Sequence, residues 1–172
     1  MRPNKVWASD FTYIKVNKKN YYLCIIMDLF SRKIVGWHIS AKADVNLTIN
    51  TLEIAYQSRK CSPGLIIHSD RGCQYTSWKY KEVTDSLNII HSFSKKGYPY
   101  DNSCCESFFK YLKKEETDLK TYQNYNQLYK SISFYINNFY NSYRPHSALD
   151  YKTPNETENI YWSNNYNLLS SS

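Results

Sequence analysis

The sequence predicts an α/β fold: a mixed five-stranded sheet flanked by helices. Three observations carry that expectation. The chain opens with three strand-like runs joined by short polar turns. The pattern then alternates helix, strand, helix, strand, and it closes with two longer helical stretches. No internal repeat or second domain interrupts this order.

Val6 to Lys15 is rich in β-branched and aromatic residues and reads as a first strand. Lys18-Lys19-Asn20 makes a polar turn. Tyr21 to Asp28 is a near-continuous apolar run, as expected of a strand covered on both faces. Ile34 to Ser40 completes an antiparallel meander. Asn46 to Ser58 carries apolar residues near helical spacing and is broken by Ser62-Pro63-Gly64. Leu65 to Ser69 is a short apolar strand, Ser77 to Leu87 a helix, and Ile89 to Phe93 a fifth strand. Ser94 to Tyr100, with Gly97 and Pro99, reads as a flexible basic loop. Helices are expected over Ser103 to Glu116 and Gln123 to Tyr143, where Arg144-Pro145 stops the second. Residues 1–154 form the expected core domain. Residues 155–172, rich in Asn and Ser, are expected to form a C-terminal tail that is loose in part.

Composition narrows the function classes. The net charge is +7, and residues 1–40 alone hold seven Lys and Arg against two Asp. A basic surface attracts polyanions, nucleic acid foremost. Several of the 18 tyrosines are available to stack on bases or contact phosphates. The five cysteines are odd in number, irregularly spaced and form no CxxC pair. They argue against a disulfide framework and a zinc site. No apolar run approaches a membrane span, and Met1-Arg2-Pro3-Asn4 leads straight into a strand without a signal peptide.

Three carboxylates stand out by context. Asp10 lies inside the first strand, where a charge is costly to bury unless paired or metal-bound; an edge strand with Asp10 facing water is the alternative. Asp70 follows the fourth strand, at a carboxyl end of the kind where open α/β sheets place ligands; it also fits an ordinary turn with Gly72. Glu106 opens a helix, and Ser103-x-x-Glu106 matches a capping box. Taken together, the three suit a different purpose. Magnesium prefers hard oxygen ligands. Two such ions about 4 Å apart clamp the attacking and leaving oxygens of a phosphoryl transfer. A central strand, a neighbouring strand end and a helix start are able to bring three carboxylates to one place. Lys110 and Lys113 follow Glu106 by four and seven residues, so all three share one side of the helix. That row suits DNA laid beside a metal site; a solvated helix face with Glu–Lys pairing explains it equally. Lys95 and Lys96 in the preceding loop are candidate phosphate contacts. His68 is a candidate support for the carboxylates, or a hydrogen-bonded structural histidine. Asp28, at the end of the second strand, reads as structural.

Four ordered segments carry a family resemblance. They are Trp7-Ala8-Ser9-Asp10-Phe11-Thr12-Tyr13-Ile14 with Met27 to Trp37; His68-Ser69-Asp70-Arg71-Gly72-Cys73-Gln74-Tyr75; Ser94-Lys95-Lys96-Gly97-Tyr98-Pro99-Tyr100-Asp101-Asn102-Ser103 running into Glu106; and Tyr140-Asn141-Ser142-Tyr143-Arg144-Pro145-His146 with Thr153-Pro154. Together, over about residues 6 to 154, they resemble the catalytic domain of bacterial insertion-sequence transposases of the insertion-sequence-three group, which is similar in turn to the retroviral integrase core. Thirty-five residues separate Asp70 from Glu106, so the family's Asp, Asp and 35-spaced Glu fall on Asp10, Asp70 and Glu106. The basic position after the glutamate falls on Lys113, and Arg71 stands beside the second aspartate as a further DNA contact.

The resemblance implies an RNase H-like fold, Mg²⁺ or Mn²⁺, and phosphodiester cleavage and strand transfer during DNA transposition and integration. It implies DNA as partner, both element ends and target, with a homo-oligomer on that DNA and a bacterial, cytoplasmic, nucleoid-associated setting. Members usually carry an upstream helix-turn-helix reader. Because this chain starts almost at the first catalytic strand, it is expected to be a fragment lacking that reader, with a separately encoded helix-turn-helix protein as a partner. Two rival readings stay open: an RNase H-like nuclease without strand transfer, and a catalytically inactive DNA-binding remnant.

Overall fold

The computed structural model describes residues 2–59, 61, 63–93 and 103–169, the side chains of 166–169 excepted. The strands are β1 (Val6–Val16), β2 (Lys19–Asp28), β3 (Ile34–Ser40), β4 (Ile66–Ser69) and β5 (Ile90–Phe93). They form one sheet in the order β3-β2-β1-β4-β5. The first three pair antiparallel as a meander, and β4 and β5 add in parallel. This is the mixed five-stranded sheet that the sequence predicts. The expected Ser94 to Tyr100 loop, with Lys95 and Lys96, lies outside the described residues.

The helices are α1 (Val45–Ser58), α2 (Cys73–Thr76), α3 (Trp78–Ser86), α4 (Ser103–Glu115), α5 (Tyr125–Phe134) and α6 (Pro154–Leu169). The side chains of β1 alternate between two cores. Ala8, Ile14 and Val16 join one core with Cys105, Phe108, Phe109 and Leu112 of α4 and with Leu128 and Ile132 of α5. Trp7 joins the other with Ile49, Leu52 and Ala55 of α1 and with Tyr75 and Tyr80. A period-2 strand with apolar residues on both sides requires cover on both sides, and it receives it. On α4 the buried residues 105, 108, 109 and 112 fall at i, i+3, i+4 and i+7, the spacing of one helix face.

Gly36 marks where α1 lies closest to β3. A β-carbon built there would stand 2.6 Å from Ala55 Cβ and 2.9 Å from its Cα. The obstacle is helix backbone, which yields little. Gly36→Ala should therefore cost about 2 kcal/mol by overpacking, read as a lower urea midpoint. An unchanged midpoint would mean that α1 shifts freely.

Three expectations need correcting. A short helix, Cys73–Thr76, precedes the one expected over Ser77 to Leu87, and Ser77 accepts from Tyr80 N–H as the cap of the second. The expected Gln123 to Tyr143 helix starts at Tyr125 and loses α geometry after Phe134. Residues Tyr135–Tyr140 widen into a π turn: Asn141 N–H donates to Ile136 O at 3.0 Å and Arg144 N–H to Phe139 O at 2.8 Å. Asn141 then accepts from Ile34 N–H and donates to Ile34 O, both at 3.0 Å. It serves as a strand-like neighbour for the first residue of β3.

The third correction concerns the segment expected as a tail, which is helix α6 through Leu169. It is anchored by charge. Glu158 accepts both Arg59 Nη1 and Nη2 at 2.8 Å, Ser31 Oγ at 2.9 Å and Lys33 Nζ at 3.3 Å. Asp28 lies in the same cluster, accepting Asn4 N–H at 2.6 Å and Phe30 N–H at 2.9 Å, with Arg59 at 3.8 Å. Asp28 is thus structural. All five cysteines are free.

Candidate active site

Asp10 sits on β1, on the same side of the sheet as Ala8, facing α4. The parallel pairing of β1 with β4 sets Ala8 opposite His68. Continued by two residues, that register brings Asp10 abreast of Asp70, which follows β4 directly. The buried face of α4 docks on the core that contains Ala8 and carries Glu106, in its first turn, to the same region.

Electrostatics reports the proximity. Burial lifts the Asp10 carboxyl to about 7, against a hydrogen bond from Phe11 N–H, and the charges of Asp70 and Glu106 both push it further up. Asp10 is thus coupled to both of the other predicted carboxylates. Asp70 and Glu106 are exposed. Asp70 Oδ1 accepts Gly72 N–H at 2.9 Å, closing a tight turn. The three are neighbours without being drawn to ligand distances: among the described residues no three His, Cys, Asp or Glu side chains stand close enough to hold a metal ion. Their chemistry still fits a divalent cation. The donors are hard oxygens, and Asp10 resists ionisation first because it is buried and then because Asp70 and Glu106 are negative; a cation would favour its charged form.

Glu106 lies in the first turn of α4, which starts at Ser103. Lys113 is half-buried and places its ammonium 5.5 Å from the ring centre of Tyr13 on β1. Lys110 is exposed on α4 and Arg71 is 5.9 Å from the Phe93 ring centre. His68 Nδ1 shares a hydrogen with Ser92 Oγ at 3.2 Å, bracing β4 on β5.

Two supports behind the carboxylates are not legible in the sequence. Ser69 Oγ meets His91 Nε2 at 2.8 Å and the Asp70 carbonyl at 3.0 Å. Burial, aided by the charge of His68, pulls His91 down to about 4, so it is a neutral partner. On the far side of β1, Ser9 Oγ bonds Tyr75 OH at 2.9 Å and Ile25 O at 3.0 Å. Both residues flanking the carboxylates are thereby fixed. Ser9 and Tyr75 lie 66 positions apart, and no local pattern announces that pairing.

Residues 1–99 match an integrase core domain family model, and residues 87–154 match a second of the same description. The chain is 41% identical over 156 residues to the transposase for insertion sequence element IS904 of Lactococcus lactis subsp. lactis (strain IL1403), covering 91% of this chain and 62% of that protein. It is 36% identical over 157 residues to transposase InsF for insertion sequence IS3A of Escherichia coli (strain K12), covering 91% and 54%. The chain thus spans between half and two thirds of the length of these relatives. Among solved structures, a chain of the simian T-cell lymphotropic virus intasome in complex with PP2A regulatory subunit B56 gamma superposes with a TM-score of 0.74 at 21% identity, over 91% of this chain and 55% of that one. The HTLV-2 integrase catalytic core domain in complex with magnesium (trimeric form) gives 0.65 at 21% identity, over 92% and 98%. Both share the RNase H-like fold.

Proposed function

The chain belongs to the integrase core domain family, and from that premise we propose that it is the catalytic core of a DNA transposase, cutting and joining DNA strands. The observation that carries this reading is the coupling of Asp10 to both Asp70 and Glu106. Asp10, Asp70 and Glu106 would hold Mg²⁺ or Mn²⁺, as the chemistry of the donors and the magnesium complex of the HTLV-2 core support. The bound cations supply Lewis-acid charge at the attacking and leaving oxygens.

The chain's own residues do the placing. β1 and the end of β4 hold two carboxylates at a fixed spacing, and α4 brings the third across. Ser69 with His91, and Ser9 with Tyr75, keep the backbone beneath Asp70 and Asp10 from shifting. Lys110, Lys113, Arg71, Lys95 and Lys96 are proposed to offer positive charge to DNA phosphates. In the cleavage step a water oxygen bonds to phosphorus and the P–O3′ bond breaks, leaving a 3′-hydroxyl and a 5′-phosphate. In the joining step that 3′-hydroxyl bonds to a phosphorus of the target strand, and the target's own 3′-oxygen leaves with a proton. No covalent link to the protein forms. His68, braced on Ser92, is proposed as support for Asp70.

DNA is the proposed partner, with further copies of the chain assembled on it and a helix-turn-helix reader of the element ends supplied by the remainder of the protein or by a separate chain. A cytoplasmic, nucleoid-associated setting follows from that role. No helix of the described residues is long and apolar enough to cross a membrane. The decisive measurement offers a labelled duplex with a pre-cut 3′-end and a target duplex, in Mg²⁺ and in Mn²⁺. Joined product is expected with either metal. Nicking without joining would reduce the reading to a nuclease, and neither product would overturn it.

A further inference from the structure

The face of α4 that turns away from the carboxylates lines a cleft of about 260 Å³. Arg32 from the β2–β3 turn, Arg144 and His146 from the segment after α5, and Ser103, Ser107 and Tyr111 of α4 surround it, and none of the described lining residues is acidic. Arg144 gives Nε and Nη2 to Glu115 at 2.8 to 3.0 Å and lies 4.0 Å from the centre of the Tyr111 ring. That pair is locally neutral and rigid, and it leaves Nη1 unused. His146 Nε2 is buried with no hydrogen-bond partner, a condition that calls for an explanation in a folded protein. Arg32 has no ion-pair or hydrogen-bond partner among the described residues, although its charge is felt at Cys105, Tyr140 and His146.

The backbone of Arg32 adds an independent sign. It holds φ at 59°, and the other non-glycine residues with positive φ are four Asn or Asp and Tyr151. Asn, Asp or Gly fits that conformation at lower cost. An arginine there keeps strain in exchange for a placed guanidinium. Ser103 and Glu106 are three residues apart on α4, an axial rise of ~4.5 Å. Along α4 the cleft thus begins within one turn of Glu106, on a different face of the helix.

We infer that this cleft binds a backbone phosphate of DNA next to the one undergoing reaction, with Arg32 as its charged ligand and the serine hydroxyls and Arg144 Nη1 as further donors. The inference rests on the reading that the chain acts on DNA. It adds a contact that neither Lys110, Lys113 nor Arg71 provides, since those residues lie outside the cleft lining.

The test is the salt dependence of binding to a fluorescent duplex without divalent metal. Each phosphate contact contributes about 0.9 to the slope of log affinity against log salt. Arg32→Gly should lower that slope by about 1, while Arg32→Lys should keep it. Because glycine accepts the left-handed backbone, Arg32→Gly should melt no lower than the parent, which separates lost contact from lost fold. Lys18→Ala, in the turn at the opposite end of the sheet, should leave the slope unchanged. A slope unaltered by Arg32→Gly, or lowered equally by Lys18→Ala, overturns the cleft as a phosphate site. Nicking by the parent in Mg²⁺ is scored in parallel. Nicking intact with an unaltered Arg32→Gly slope defeats the cleft alone. A parent that neither binds nor nicks defeats the functional reading as well.

Discussion

Asp10→Asn should abolish strand cleavage and joining while making the metal-free protein more stable. Lewis-acid stabilisation is worth several kcal/mol at the transition state, and each 1.36 kcal/mol is tenfold in rate. Loss of one ligand should therefore slow the reaction by at least roughly 10³-fold. The stability change follows from the carboxyl standing at about 7 in the folded chain, against about 3.9 for a free aspartate. A raised value means that the folded state binds the proton more tightly than the unfolded state does. The native Asp10 thus loses stability as pH rises from about 3.9 towards 7, and the loss is level above that. Asparagine, which does not ionise, escapes it. At pH 8 the gain should be about 2 kcal/mol, roughly half the value of the full displacement, because Asp10 retains some contact with water. Below about pH 4 it should vanish. Thermal melts of both proteins across that range, with and without Mg²⁺, give the comparison. Magnesium should raise the melting temperature of the parent and not of the variant. Near-parental nicking by Asp10→Asn would remove Asp10 from the site.

The second large effect is expected at Glu158, whose side chain is only 4% exposed. Breaking a buried ion pair costs about 3–5 kcal/mol. Arg59 keeps Asn4 Oδ1 at 2.7 Å and Asp28 at 3.8 Å, so Glu158→Gln should fall at the lower end, about 3 kcal/mol at pH 7. The pH dependence has the opposite sign to that of Asp10. Burial alone would raise the Glu158 carboxyl, but Arg59, Lys33 and Ser31 outweigh it and hold the group below its ordinary value of 4.5. The stability it contributes is fully present above pH 4.5 and is lost as pH falls through the depressed value. The gap between parent and variant in urea titrations should therefore shrink in acid. Asp28, raised chiefly by burial and further by the charge of Glu158, titrates in the other sense, and Glu158→Gln removes that second push. A variant as stable as the parent at pH 7 would mean that α6 is not held by this cluster.

The sheet was legible because its signal is local. Alternating β-branched and aromatic residues in β1, a nearly unbroken apolar run in β2 and short polar turns specify a meander without long-range information. The candidate carboxylates were legible for another reason. Each alone had an adequate structural explanation, and only the order and spacing of four motifs joined them. The structure adds what motifs lack: a β1–β4 register that sets Ala8 opposite His68, and an apolar face of α4 docked on the core that contains Ala8. α6 escaped because its polar sequence offers no broad apolar stripe; its anchor is one glutamate whose partners lie about a hundred residues upstream. Neither His91 beneath Ser69 nor Tyr75 beneath Ser9 has a local signature, since a hydroxyl and a ring become partners only after the chain has folded.

The widened turn at Tyr135–Tyr140 has a consequence for how this protein tolerates change. Successive residues of an ordinary helix are rotated by about 100°. Removing one residue from that stretch would restore regular winding and swing the Asn141 amide away from β3, even if every surviving side chain were kept. The fold there depends on the number of residues as much as on their kinds. The segment works as a measured spacer, fixed in length by the bonds of a single buried amide.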